Sequence, residues 1–207
     1  MSADHRRLDA LLARATVDAA AIDLAPFGEF RAGLIRHIGM EEKVLFPAAG
    51  RARGASLPLA ARLRVDHGAI VALLVPTPTP VIVARLLSVL GPHDRREEDP
   101  GGVYDACDEA VGPVEAERLV DELRRFPAVP VKPYNDGPAV EKHIEETLEL
   151  SRRQWRAKEP APAKRRPPRP CSIDPSAPAY WRLLACAASS LTRSDWTIRL
   201  KAELIVP

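Results

Sequence analysis

Residues 33–47 read GLIRHIGMEEKVLFP. Leu34, Ile38 and Leu45 mark an apolar helical face, and His37 and Glu41 lie on it four residues apart. Extended toward the N-terminus, the stripe runs Phe27, Phe30, Leu34, His37, Glu41, Leu45, in steps of 3, 4, 3, 4 and 4 residues. The imidazole and the carboxylate therefore point where the phenylalanines and leucines point. Ionised groups in an apolar setting cost several kcal/mol each unless a partner compensates them.

Comparison of the chain with itself supplies the partners. A first helix over about 3–17 carries DHRRLDALL from Asp4, with His5, Leu8, Leu12 and Ala15 on one face. A third helix over about 57–75 carries DHGAIVALL from Asp66, with Leu63, His67, Ile70 and Leu74 inward. His37-x-x-x-Glu41-Glu42 on the second helix, about 25–51, is matched by His93-x-x-x-Glu97-Glu98 on the fourth. That fourth helix starts at a Thr79 cap and an N1 Pro80, and its stripe is Val83, Leu86, Leu90, His93 and Glu97. Pro92 removes a backbone donor beside His93 and is expected to kink or loosen the helix there. A hairpin with one histidine on its first helix and a histidine plus glutamate on its second thus occurs twice, at offsets of 62 and 56 residues. Two such hairpins predict an all-α protein built on an up-down four-helix bundle with an approximate two-fold.

Composition fits that class. The 207 residues are 46% hydrophobic and 28% charged, with aromatics at 5% and a net charge of +2, which suits one globular core plus an appendage. Cys107, Cys171 and Cys186 form neither a disulfide framework nor a CxxC zinc site. With no apolar leader at the N-terminus and no apolar run of spanning length, a cytoplasmic protein without a membrane partner is expected.

Residues 1–112 are expected to form the bundle. Residues 113–158 hold additional helices packing on it, interrupted by a loop at 127–137, and residues 159–207 are a linker and tail. EPAPAKRRPPRP has five prolines in twelve residues and reads as extended linker. Its basic run, Lys164, Arg165, Arg166 and Arg169, reads as solvated linker rather than as a nucleic-acid surface. His143, in the charged stretch EKHIEET, reads as a solvated helix face, and Cys107 as a buried structural thiol.

Histidine and carboxylate at i and i+4 share a helical face, so each second helix offers a nitrogen and an oxygen to a common point, and each first helix adds a nitrogen across the bundle. Two divalent ions fit, each taking two histidines, with Glu41 and Glu97 bridging both. Imidazole and carboxylate without thiolate suit iron, manganese or zinc, and iron best matches a bundle of this type. Glu42 and Glu98 follow the ligands but point about 100° away, so they are expected behind the ligands or in solvent. Tyr104 lies seven residues after Glu97 and is a further candidate to sit behind the ligands, although Pro100, Gly101 and Gly102 intervene.

At DHRRLDALL, RHIGMEEKVLFP, VDHGAIVALL and PHDRREEDPGGVY the sequence resembles the hemerythrin-like HHE cation-binding domains. The resemblance covers roughly residues 1–112. It implies a four-helix bundle with a non-haem di-iron centre and carries ligand roles to His5, His37, Glu41, His67, His93 and Glu97. Oxygen-carrying relatives have a further histidine one turn after the third-helix ligand; here that position is Val71. Open positions on the ions then favour binding or sensing of oxygen, nitric oxide or peroxide over reversible carriage. The alternatives are a di-metal oxidoreductase acting on a small oxidant, and a helical module that holds a protein partner.

Overall fold

The structure, a computed structural model, describes residues 1–18 and 20–156. The expectations for residues 159–207, including Cys171 and Cys186, lie outside the described residues. All described elements are helical: α1 (Ser2–Ala15), α2 (Leu24–Met40), a π-helical turn (Glu41–Leu45), α3 (Phe46–Arg53), α4 (Ala60–Leu73), α5 (Pro80–Glu98), α6 (Val103–Ala110), α7 (Pro113–Arg125) and α8 (Pro138–Arg156). No described helix is long and apolar enough to cross a membrane.

Local chemistry sets the helix ends. Asp23 accepts from the Ala25 amide at 3.0 Å to start α2, and Thr79 accepts from the Ile82 amide at 3.2 Å to start α5. Gly54, at φ 72°, ends α3 in the left-handed conformation that a glycine adopts without strain. α5 continues through Pro92, which costs the helix a donor without ending it.

The second helix departs from the expected uniform α-helix at its most informative point. Over Glu41–Leu45 it widens to π geometry, and the Phe46 amide donates to the Glu41 carbonyl five residues back. Pro47 explains the widening: it has no amide to donate and its ring presses on the carbonyl one turn earlier, inside the π turn. The extra residue shifts the register, so Val44 and Phe46 are buried and Leu45, expected on the inward stripe, is half-buried.

Leu8, Leu12, Phe27, Phe30, Leu34, Ile70, Leu73 and Leu86 of α1, α2, α4 and α5 form the main core. α8 is part of this core rather than an attachment to it, because Ile144 and Leu148 are buried in the same cluster. A second cluster joins Phe46, Ala49, Leu57, Leu63, Val103 and Cys107 of α3, α4 and α6 with the start of α4. α7 closes Val44 and Ala48 with Leu119. Arg31 holds the 127–137 segment to the bundle: its guanidinium donates to the Leu74 carbonyl at 2.6 Å and the Lys132 carbonyl at 2.9 Å, and stacks on Tyr134.

Candidate metal centre

α1, α2, α4 and α5 each bring a histidine to the same interior region, and α2 and α5 add a glutamate. Two quartets result: His5, His37, Glu41 and Glu97, and Glu41, His67, His93 and Glu97. Within each quartet one ligand atom per residue lies within 4.8 Å of the others. All six side chains are buried, Glu41 at 0% and Glu97 at 1% exposure. Both carboxylates belong to both quartets.

The imidazoles are held from behind by a second set of carboxylates. Glu98 contacts His5 Nδ1 at 2.9 Å, Asp4 contacts His37 Nδ1 at 3.1 Å, and Glu42 contacts His67 Nδ1 at 2.8 Å. Asp66 lies 3.7 Å from His93 Nδ1. Nδ1 of His5, His37 and His67 is thus engaged away from the centre, which turns their Nε2 inward, where a ligand nitrogen must be; His93 Nδ1 faces Asp66 without a hydrogen bond. The Asp of each Asp-His pair backs the histidine of its own hairpin, and the second Glu of each Glu-Glu pair backs a histidine of the other.

The inward atoms are poorly satisfied without a cation. His5 Nε2 and His37 Nε2 approach to 2.7 Å, a contact that needs a shared proton or a cation between two lone pairs. His67 Nε2 sits 3.2 Å from Glu41 Oε2 and 3.9 Å from Glu97 Oε1, and none of these three buried atoms has a hydrogen-bond partner. A cation among them would satisfy all three, so the donor set fits a metal ion on chemistry and on position.

Without a cation, protons on the imidazoles carry the compensating charge. Burial favours neutral imidazole, but Asp4 and Glu41 raise His37 to about 9, and the carboxylates of Glu41, Glu42 and Glu97 raise His67 to about 11. Burial likewise opposes charge on His93, yet Asp66 and Glu97 raise it to about 9. Burial pushes Glu41 up, and His37 and His67 outweigh it, holding Glu41 well below the ordinary carboxylate range. Burial and the charge of Glu41 push Glu97 up, and His67 and His93 bring it below its ordinary value.

Tyr104, from the first turn of α6, enters the first quartet. Its hydroxyl donates to Glu41 Oε1 at 2.5 Å and lies 3.2 Å from Glu97 Oε2. It is also 3.4 Å from Nε2 of both His5 and His37. The glycines before it make this possible. Gly101 takes a left-handed φ of 81°, and a Cβ on Gly102 would come within 2.6 Å of the Glu97 carbonyl oxygen. The chain can fold back this tightly over the end of α5 only without a side chain at residue 102.

Residues 1–75 match the family model described as the hemerythrin HHE cation binding domain. Over residues 1–75 the chain is hemerythrin HHE-like. No curated protein and no solved structure matches the chain. The matched residues include His5, His37, Glu41 and His67; His93 and Glu97 lie beyond them and are related to His37 and Glu41 by the internal repeat.

The structure brings the six residues expected as ligands together and places Glu42, Glu98 and Tyr104 against them. Asp4 and Asp66 were not singled out from the sequence. Their signal was the recurrence of Asp immediately before His in both DH segments, which a comparison limited to histidine and glutamate passes over. Val71, the position of the carriers' additional histidine, is 38% exposed on α4 and does not face the centre; the inward residue there is Ile70, fully buried. His143 is exposed and Cys107 is buried, as expected. Burial, helped by Asp108, Glu41 and Glu97, pushes the Cys107 thiol up to about 12, so it is inert as a nucleophile.

Proposed function

We propose that this protein holds a carboxylate-bridged non-haem di-iron centre that binds or senses oxygen, nitric oxide or peroxide in the cytoplasm. The observation that carries this reading is the sharing of Glu41 and Glu97 by two buried histidine pairs. Two cations sharing two carboxylates would be partly neutralised in this buried site, each held by one histidine pair. Iron bound there would supply a redox change and exchangeable coordination.

The chain's own residues do the rest. His5, His37, His67 and His93 supply neutral nitrogens, and Asp4, Glu42, Asp66 and Glu98 fix their orientation and raise their basicity. The surrounding leucines and phenylalanines keep water out and favour a small, weakly polar ligand over a charged substrate. A cavity of about 220 Å³ reaches Tyr104 between the start of α1, α6 and α7, and its walls include Leu45, Cys107, Leu119 and Leu123. That volume suits a diatomic molecule or peroxide.

Purified protein loaded with ferrous iron under anaerobic conditions is expected to hold two irons per chain and to develop a near-ultraviolet charge-transfer band in air. Protein that retains no iron after loading would rule the reading out. A stable change in the spectrum on mixing the reduced protein with oxygen or nitric oxide, without repeated turnover when reductant is added, supports sensing over catalysis.

A further inference from the structure

The duplicated ligand set is symmetric in residue type, and the phenol of Tyr104 is not. Repeat-related positions in the two hairpins differ by 56 residues on α2 and α5, which pairs Tyr104 with Ala48. Ala48 lies in the cluster beneath α7 and offers no donor atom. Among the described residues, one quartet therefore has a fifth donor group, a phenol, within reach of both its histidines, and the repeat supplies no counterpart for the other.

The position of that oxygen is specific. Tyr104 Oη lies within 3.4 Å of the inward atoms of His5, His37, Glu41 and Glu97, which make up the first quartet. A group that only supported a ligand from behind would touch one of them, as Asp4 touches His37 and Glu98 touches His5. A group in reach of all four stands where a ligand of the same ion stands. The tight turn at Gly101 and Gly102 fixes it there, and burial of Val103 and Cys107 on either side anchors the α6 segment that carries it.

We infer that Tyr104 is a direct oxygen ligand of the ion held by His5 and His37, so the two metal positions of the centre are chemically inequivalent. This rests on the di-iron reading above. On coordination a metal–oxygen bond forms, the phenol proton passes to solvent, and no oxidation state changes. The first ion then has two nitrogens, two shared carboxylates and a phenolate, a hard anionic set that favours the ferric state. The second ion, on His67 and His93, has one protein ligand fewer and is the more open of the two.

The test uses the full-length chain loaded with iron and exposed to air. The wild type is expected to show a visible phenolate-to-iron charge-transfer band, and resonance Raman excitation into it to enhance tyrosine ring modes that shift when the protein is grown on ring-deuterated tyrosine. Tyr104→Phe is expected to keep about two irons per chain and lose both the band and the modes. Wild-type protein with two irons and no tyrosine-derived mode, or a Tyr104→Phe variant whose band is unchanged, would overturn the assignment and leave the di-iron reading standing. Absence of iron from the wild type would overturn both. The isotope measurement needs no variant, so it decides the matter even if Tyr104→Phe does not fold.

Discussion

Glu41 and Glu97 each serve both quartets, whereas every histidine serves one, and this sets the order of severity among substitutions. Glu41→Ala is expected to bring bound iron close to zero, while His93→Ala leaves the first quartet intact; metal analysis after desalting separates the two. Glu42 touches no ion in this scheme and acts through His67, so Glu42→Ala is expected to weaken metal binding by about 10- to 100-fold, read by competition with a chelator. The same side chains give the metal-free protein a pH signature. His37, His67 and His93 titrate above their ordinary value, so their contribution to stability is complete below about 6.5. It declines as pH rises from there and is gone above the folded values of about 9, 11 and 9. Glu41 and Glu97 are shifted down, so their contribution is present above the ordinary carboxylate range and is lost as pH falls through their lowered values. Thermal scans of metal-free protein are expected to show the melting temperature falling between pH 6.5 and 10. In the iron-loaded form metal replaces those protons and the alkaline decline is expected to disappear.

Single elements carry separate consequences. A methyl group on Gly102 would meet three backbone oxygens at 2.6 to 2.8 Å, atoms that cannot swing aside, so Gly102→Ala is expected to cost about 2 kcal/mol in denaturant unfolding and to displace Tyr104 from the centre. Leu148 of α8 is fully buried in the main core, and Leu148→Ala is expected to cost roughly 2–5 kcal/mol. A merely attached helix would lose far less. The inward stripes of α1, α2, α4 and α5 were legible in the sequence because 3–4 spacing and burial coincide there, and the Thr79 cap marks the start of α5 chemically. The π turn was not legible: its cause, Pro47, sits after the turn, and a one-residue change of register is visible only from which of Val44, Leu45 and Phe46 is buried. Tyr104 was legible as a residue but not as a placement, because Gly101 and Gly102, which end a helical pattern, are also what lets the chain reverse onto the end of α5.

At the scale of the whole molecule, metal and fold are linked. The ligands come from four helices, so a cation that binds the folded chain alone stabilises it by about 2.7 kcal/mol at a free concentration 100 times its dissociation constant, and removal by chelator is expected to lower the melting temperature accordingly. Asp66 extends the linkage to α8. Its carboxylate, 1% exposed, accepts from Ser151 at 2.5 Å and from Gln154 and Trp155, while Trp155 stacks between Arg62 and Arg96. None of this could be read from spacing, since residues 66 and 155 are related only through the fold. The crossed contacts also tie the two hairpins together. Glu42 of the first hairpin supports His67 of the second, and Glu98 of the second supports His5 of the first, the reciprocal pattern of an interface between two identical subunits. Each hairpin therefore braces the other's histidine, as the halves of a two-fold pair do. Tyr104 on one side and the α8 partners of Asp66 on the other mark where the two halves differ.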